Sequence, residues 1–223
     1  MTILSLALAA VLTGCTGELS TLDPAGRSAA EISTLWWVML AGATAIFLLV
    51  MVLLALAFVR RHEASEQKER TWILGGGLIF TSTVLIALLA YGIILGERLI
   101  PKDETDVVTA AGIAEQWQWT FRQAAADGTM IERPDTLDIP AGTPIDLHIT
   151  SSDVIHSFWV PRLAGKLDAV PGKVNVLRIQ ASEPGIYEGT CAEYCGIGHA
   201  RMRLRVVAHD PASWTAFQAG GQS

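Results

Sequence analysis

Residues 36–59 and 72–95 form two runs of 24 residues in which every position is uncharged. About 20 apolar residues suffice for a helix to cross the hydrocarbon core of a bilayer. Aromatic side chains mark the ends of these runs, at Trp36, Trp37, Trp72 and Tyr91, and Trp and Tyr favour membrane interfaces. Gly75, Gly76 and Gly77 would weaken a soluble helix, whereas small residues let membrane helices approach closely. Between the runs lie Arg60, Arg61, Lys68 and Arg70, and short loops rich in Arg and Lys stay cytoplasmic. The pattern predicts a transmembrane hairpin. Its spans are 35–59 and 72–96, its loop 60–71 is inside, and both flanks are outside.

The first apolar stretch, residues 3–12, is too short to span. It runs into Leu12, Thr13, Gly14 and Cys15. An apolar stretch ending in small residues is a processing signal, and small residues before a cysteine resemble a bacterial lipoprotein leader. The usual cationic start is missing. The expectation is a removed leader at 1–14, with Cys15 as lipidated N-terminus, and a short exported segment at 15–34. A simple cleaved leader is the alternative.

From residue 97 onward the pattern changes to short β-rich runs separated by turn signals. Residues 145–150 alternate strictly between apolar and polar. Pro140 to Thr143, Pro171-Gly172 and Pro184-Gly185 supply turns. The segment 97–223 is therefore expected to be an all-β sandwich or small barrel. Asp210 followed by Pro211 combines an N-cap with a proline at the first helical position, which predicts a short terminal helix.

Composition locates this division. The chain of 223 residues is 51% hydrophobic and 17% charged, with net charge −6. An ordinary soluble domain carries about 25% charged residues. The deficit lies in the spans and leader, while residues 97–223 hold 16 acidic against 11 basic side chains. That balance argues against a nucleic-acid partner.

One segment concentrates chemistry. Cys191, Cys195, His199 and Met202 fall within twelve residues. Thiolate, imidazole and thioether together suit copper. Gly196 and Gly198 free the loop to curl so that its side chains converge. His156 lies upstream, on a second loop that a barrel can bring to the same rim. A disulfide between the cysteines and a tetrahedral zinc on two Cys and two His are the competing readings, and neither uses Met202. Two Cys and two His also divide evenly over two metals with both thiolates bridging, an arrangement suited to electron transfer.

This segment resembles the binuclear copper (CuA) domain of subunit 2 of haem–copper cytochrome c oxidases. The resemblance extends to both spans, to residues 117–121, 153–161, 166–172 and 184–187, and so to nearly the whole mature chain. It implies a cupredoxin-like Greek-key barrel or sandwich behind the hairpin. It implies that Cys191 and Cys195 bridge two coppers and that His156 and His199 each cap one. Met202 and the backbone carbonyl of Glu193 are then weak ligands, and the Glu193 carboxylate reaches a magnesium shared with subunit 1. Trp117 matches the aromatic residue through which electrons arrive from cytochrome c. Glu69 resembles a carboxylate near the mouth of a proton pathway of subunit 1. The implied partners are subunit 1, subunit 3, cytochrome c and the lipid bilayer of a bacterial inner membrane. The implied role is electron transfer within a proton-translocating oxidase whose oxygen-reducing site lies in another subunit. Two departures concern the contact with subunit 1: Glu115 stands where the family often has histidine, and glycines stand near the place of a common proline.

Docking faces for basic cytochromes are acidic, and Asp127, Glu132, Asp135, Asp138 and Asp153 are the candidates here. His62, His148 and His209 are expected to be solvated, structural or at the surface. Arg201, Arg203 and Arg205 recur at every second position and predict a basic strand face. The rival functions are a membrane-anchored copper chaperone and the copper-free quinol-oxidase homologue. The intact donor set argues against the second, and exchangeable copper would mark the first.

Overall fold

The computed structural model describes residues 15–59, 66–101 and 107–220. The leader, Arg60, Arg61 and His62 lie outside the described residues. The chain divides into two compact units, one spanning Thr34–Leu99 and the other taking the chain up to Ser33 and again from Ile100.

Helix α1 (Arg27–Val59) runs through the first apolar stretch. The second is continuous through α2 (Glu66–Thr71), a π-helical segment (Trp72–Phe80) and α3 (Thr81–Leu99). The π segment contains Gly75, Gly76 and Gly77, where the backbone can widen with least steric resistance. The two candidate spans cover 33 and 31 residues. Their large side chains are open on all sides, with Phe58 79% and Ile86 65% exposed. A helix apolar all round belongs in an apolar surrounding, so these helices anchor the chain in a membrane.

Helix α1 begins at Arg27, well before the uncharged run. Ala29 and Ser33, one helical turn apart, are buried. The residues before them are latched onto the β unit rather than free. Ala25 and Gly26 donate their N–H groups to the Arg162 carbonyl at 2.7 and 3.0 Å. The Arg162 guanidinium reaches back to the Asp23 carbonyl at 2.9 Å and its carboxylate at 3.1 Å. A Cβ on Gly26 would collide with the carbonyls of Leu163 and Gln180, so only glycine fits there.

The β unit is a sandwich of two five-stranded sheets. The first holds β1 (Val108–Glu115), β2 (Gln118–Ala124), β3 (Met130–Pro134), β5 (Ile145–Ser151) and β8 (Asn175–Ile179), in the order β3-β2-β1-β5-β8. The second holds β4 (Thr136–Pro140), β6 (His156–Trp159), β7 (Leu167–Ala169), β9 (Gly185–Cys191) and β10 (Arg203–His209), in the order β4-β10-β9-β6-β7. β1 pairs parallel with β5 and β4 parallel with β10, while the other pairs are antiparallel. This is the cupredoxin-like arrangement expected. Ile145, Leu147 and Ile149 alternate inward along β5, as the sequence pattern dictates. Trp119, Phe121 and Phe158 pack at 5.7–6.1 Å between ring centroids and join the two sheets. Aromatic groups of this size dominate core energetics.

Helix α4 (Pro211–Gln218) is capped by Asp210, whose carboxylate accepts from the N–H groups of Ala212 and Ser213. His209 is not at the surface as expected. It is 6% exposed, stacks on Phe217 at 5.6 Å, and its Nε2 lies 2.7 Å from Asp138 Oδ1. The apolar underside of α4 covers it.

Candidate metal centre

Strands β10, β9 and β6 are neighbours in one sheet, and their ends carry the donors. Cys191 closes β9, Met202 directly precedes β10, and His156 opens β6. The Cys191 N–H donates to the Met202 carbonyl at 3.0 Å and the Ala192 N–H to the Ser157 carbonyl at 2.9 Å. The loop between β9 and β10 is thus pinned at its base. Gly196 takes φ +115°, a conformation that only glycine adopts readily. It turns the loop back so that His199 reaches the same point.

The five side chains converge. Cys191 Sγ and Cys195 Sγ lie 3.9 Å apart and both cysteines are free thiols. A disulfide needs about 2.05 Å, so the cysteines are not paired covalently. His156 Nδ1 lies 3.9 Å from Cys191 Sγ, and His199 Nδ1 lies 3.7 Å from Cys195 Sγ. Met202 Sδ is 3.2 Å from His156 Nδ1 and 3.8 Å from Cys195 Sγ. The Glu193 carbonyl oxygen lies 3.3 Å from Cys191 Sγ. His156 and Met202 are fully buried and the two cysteines nearly so.

This donor set fits a soft metal. Two thiolates that share one ion at about 2.3 Å each sit no more than about 4.6 Å apart, and the observed spacing meets that limit. Six donors exceed the four of a structural zinc site. Thiolate, imidazole and thioether together favour copper.

Asp153 carries His156. Its Oδ1 is 2.9 Å from His156 Nε2, which leaves Nδ1 facing the sulfurs. A carboxylate behind a ligating imidazole fixes its tautomer and orientation. Burial pushes the Asp153 carboxyl up, but hydrogen bonds from His156 and from the N–H groups of Val154 and Gln116 outweigh it and hold the group below its ordinary value. Burial and the neighbouring Cys191 push the Cys195 thiol up to about 11.

Trp117 stands at the turn between β1 and β2 and is 43% exposed. Its Nε1 donates to the Cys195 carbonyl at 3.2 Å. Val154, Ile155 and Tyr194 are exposed as well. A cleft of about 510 Å³ lies beside them, lined by Val154, Ile155, Asp168, Glu193, Tyr194 and Gly196. The Glu193 carboxylate borders this cleft and faces Lys166 Nζ at 3.8 Å. Glu69 is exposed on α2, and Cys15 is half-buried in the segment before α1.

The candidate docking acids do not form one surface. Asp138 is fully buried, and its carboxylate is held by Arg133 at 2.9 Å and by His209. This corrects its reading as a docking acid, because a steering charge must face solvent. Asp135 is half-buried and accepts the Trp119 N–H at 2.8 Å. Glu132 is exposed and paired with Arg122 at 2.6 Å. Asp127 accepts from Thr129 in the turn beyond β2. The seven residues of β2 rise roughly 20 Å, so Asp127 sits at the opposite end of the sheet from Trp117. Asp153 alone of the five adjoins the cluster. The residues that sequence reasoning missed are Gln116 and, as a holder of His156, Asp153. The spacing of Asp153 three residues before His156 was the available signal.

Fold and site together define a membrane-anchored, cupredoxin-like protein with a buried cluster of soft donor side chains. Residues 122–209 match the family described as cytochrome C oxidase subunit II, periplasmic domain. Over this segment, and in the relatives that follow, the chain is similar to cytochrome c oxidase subunit II. It is 30% identical to cytochrome c oxidase subunit 2 of Alkalihalophilus pseudofirmus, over 94% of this chain and 64% of that protein. It is 28% identical to an alternative cytochrome c oxidase subunit 2 of Bradyrhizobium diazoefficiens, over 77% of this chain and 73% of that one. The chain thus spans about two thirds of the length of these relatives. Among solved structures, the periplasmic domain of subunit II of cytochrome oxidase from Bradyrhizobium japonicum aligns with 55% of this chain and 96% of its own, at 24% identity and TM-score 0.48.

Proposed function

We propose that this chain is the electron-transfer subunit of a respiratory terminal oxidase. It takes electrons from a cytochrome c on the exported side of a bacterial inner membrane and passes them to haem in subunit 1. The observation that carries the reading is the pair of unbonded thiols 3.9 Å apart, each with an imidazole Nδ1 beside it. Cys191 and Cys195 would bridge two coppers, His156 and His199 would each cap one, and Met202 and the Glu193 carbonyl would complete the set. When bound, such a centre supplies reversible one-electron storage with little change in geometry.

The chain's own residues do the rest. Trp117 offers a half-exposed ring hydrogen-bonded to the ligand loop. The buried strand ends hold the donors rigid, which keeps reorganisation small on reduction. Helices α1 and α3 anchor the domain beside subunits 1 and 3. The Glu193 carboxylate is the candidate magnesium ligand, Glu69 the candidate acid near a proton pathway, and Cys15 the candidate lipid site behind a removed leader.

The test is direct. The full chain in detergent is loaded with copper and examined by EPR and visible spectroscopy. Two coppers per chain, with hyperfine splitting from two equivalent nuclei, are expected. Cys195→Ser should abolish that signature. Splitting from a single copper nucleus in the unaltered chain would overturn the binuclear reading, and copper lost readily to a chelator would favour a chaperone.

A further inference from the structure

The carbonyl of Cys195 accepts two hydrogen bonds at once. Gln116 Nε2 donates to it at 2.7 Å and Trp117 Nε1 at 3.2 Å. The backbone N–H of Gln116 donates to Asp153 Oδ2 at 2.8 Å. The other oxygen of that carboxylate holds His156 at 2.9 Å. The contacts therefore leave the cluster at Cys195 and return to it at His156. Gln116 is the residue that joins the two arms. The fit is close on the loop side too, since a Cβ on Gly196 would meet Gln116 Nε2 at 3.0 Å and the Trp117 ring at 3.4 Å.

We propose that Gln116 is a positioning residue for electron uptake, acting through Trp117. The proposal rests on the reading of Trp117 as the electron port. The Gln116 side chain and N–H tie the indole's turn to both ligand-bearing loops, so the ring keeps one distance and one orientation to the cluster. With the amide gone, the indole would hold Cys195 by a single longer bond at a solvent-exposed turn. The distance and orientation of the ring set how well an electron couples from donor to cluster, so a displaced indole slows uptake. Gln116 is itself exposed, so its replacement disturbs no core packing, and surface substitutions change stability little. Electron uptake here oxidises an external haem donor by one electron and reduces the loaded centre by one, with no bond made or broken.

The experiment uses the full chain in detergent, as Gln116→Ala and Asp153→Asn variants. Without metal, acrylamide quenching of Trp117 fluorescence is isolated by subtracting the Trp117→Phe signal. Gln116→Ala should make the indole clearly more quenchable. Loaded with copper, it should keep the unaltered spectrum and copper content. Its uptake from reduced cytochrome c should fall severalfold relative to its uptake from a small inorganic reductant. Asp153→Asn, which touches His156 directly, should instead alter the spectrum. Unchanged quenching in Gln116→Ala, or slow uptake accompanied by a lost copper signature, overturns the proposal. A wild-type chain without the binuclear signature would sink the functional reading instead, and the metal-free quenching would still decide whether Gln116 holds the indole.

Discussion

Gly198 lies so close to the indole of Trp117 that a Cβ at that position would come within 2.2 Å of the ring. Gly198 itself is buried and stands one residue before His199. The loop that carries His199 is therefore also the floor on which the Trp117 ring rests.

Gly198→Ala should push the indole off this floor. The φ of Gly198 is −84°, which alanine adopts without strain, so the effect is steric and local. Trp117 should become more exposed, visible as a red-shifted emission, and uptake from a haem donor should slow. His199 should still load metal, because the loop's base bonds are distant from the change. Stopped-flow reduction paired with EPR of the loaded chain separates the two effects. Unslowed uptake would show that Trp117 is not the port.

Met202 offers a test of the ligand set. It is fully buried with its sulfur 3.2 Å from His156 Nδ1. Met202→Leu conserves volume, and such swaps usually cost under about 1.5 kcal/mol. The fold should survive while the thioether donor is lost. Were copper bound, a weak thioether donor such as Met202 would tune its potential. Removing a donor that favours the oxidised state should raise the potential by tens of millivolts, where about 59 mV is a tenfold change for one electron. Redox titration of the loaded full chain measures this, and an unshifted potential would show that the sulfur is packing only.

Asp138 and Asp127 looked alike in the sequence, and the structure separates them. Asp138→Ala should be strongly destabilising, by roughly 3–5 kcal/mol, because it strands Arg133 in a partly buried pair. Asp127→Ala should leave the salt dependence of donor binding unchanged, since Asp127 is at the far end of β2. Thermal melts and rates at two ionic strengths distinguish the pair. Normal stability in Asp138→Ala would refute the buried-pair account.

Nothing local in the sequence marks Asp138 as buried. In β4, Thr136, Leu137, Asp138 and Ile139 are all buried, so alternation fails and an acid inside the strand looks no different from one outside. Its partners, Arg133 and His209, come from β3 and β10, and no local spacing announces them. The same holds for the latch of Asp23 and Gly26 on Arg162, which spans most of the chain and leaves no periodic trace. What was legible was what repeats or clusters. β5 declared itself by strict alternation, the spans by an absence of charge, and α4 by Asp210-Pro211. The metal cluster was legible because four of its donors share one loop. Gln116 was not, because its role is set by a backbone N–H and a partner carbonyl from distant segments.

Cys195 gives the metal-free protein a pH dependence whose sign follows from its environment. Burial, then the adjacent Cys191, raises the thiol from 9.0 to about 11. In the unfolded chain it ionises near the lower value. The folded state therefore retains a proton that the unfolded state releases between these limits. A raised folded value means stability that is complete below pH 9.0 and is lost as pH climbs toward about 11. The metal-free full chain, kept reduced, should hold a constant melting temperature from neutral pH to about 9 and then fall. Cys195→Ser, which has no thiol to ionise there, should show a shallower decline. Copper loading should reverse the trend, because metal takes the thiolate and displaces the proton, so loading near neutral pH should acidify a weakly buffered solution. Parallel pH–melting curves for the two chains would show that the thiol does not govern this window.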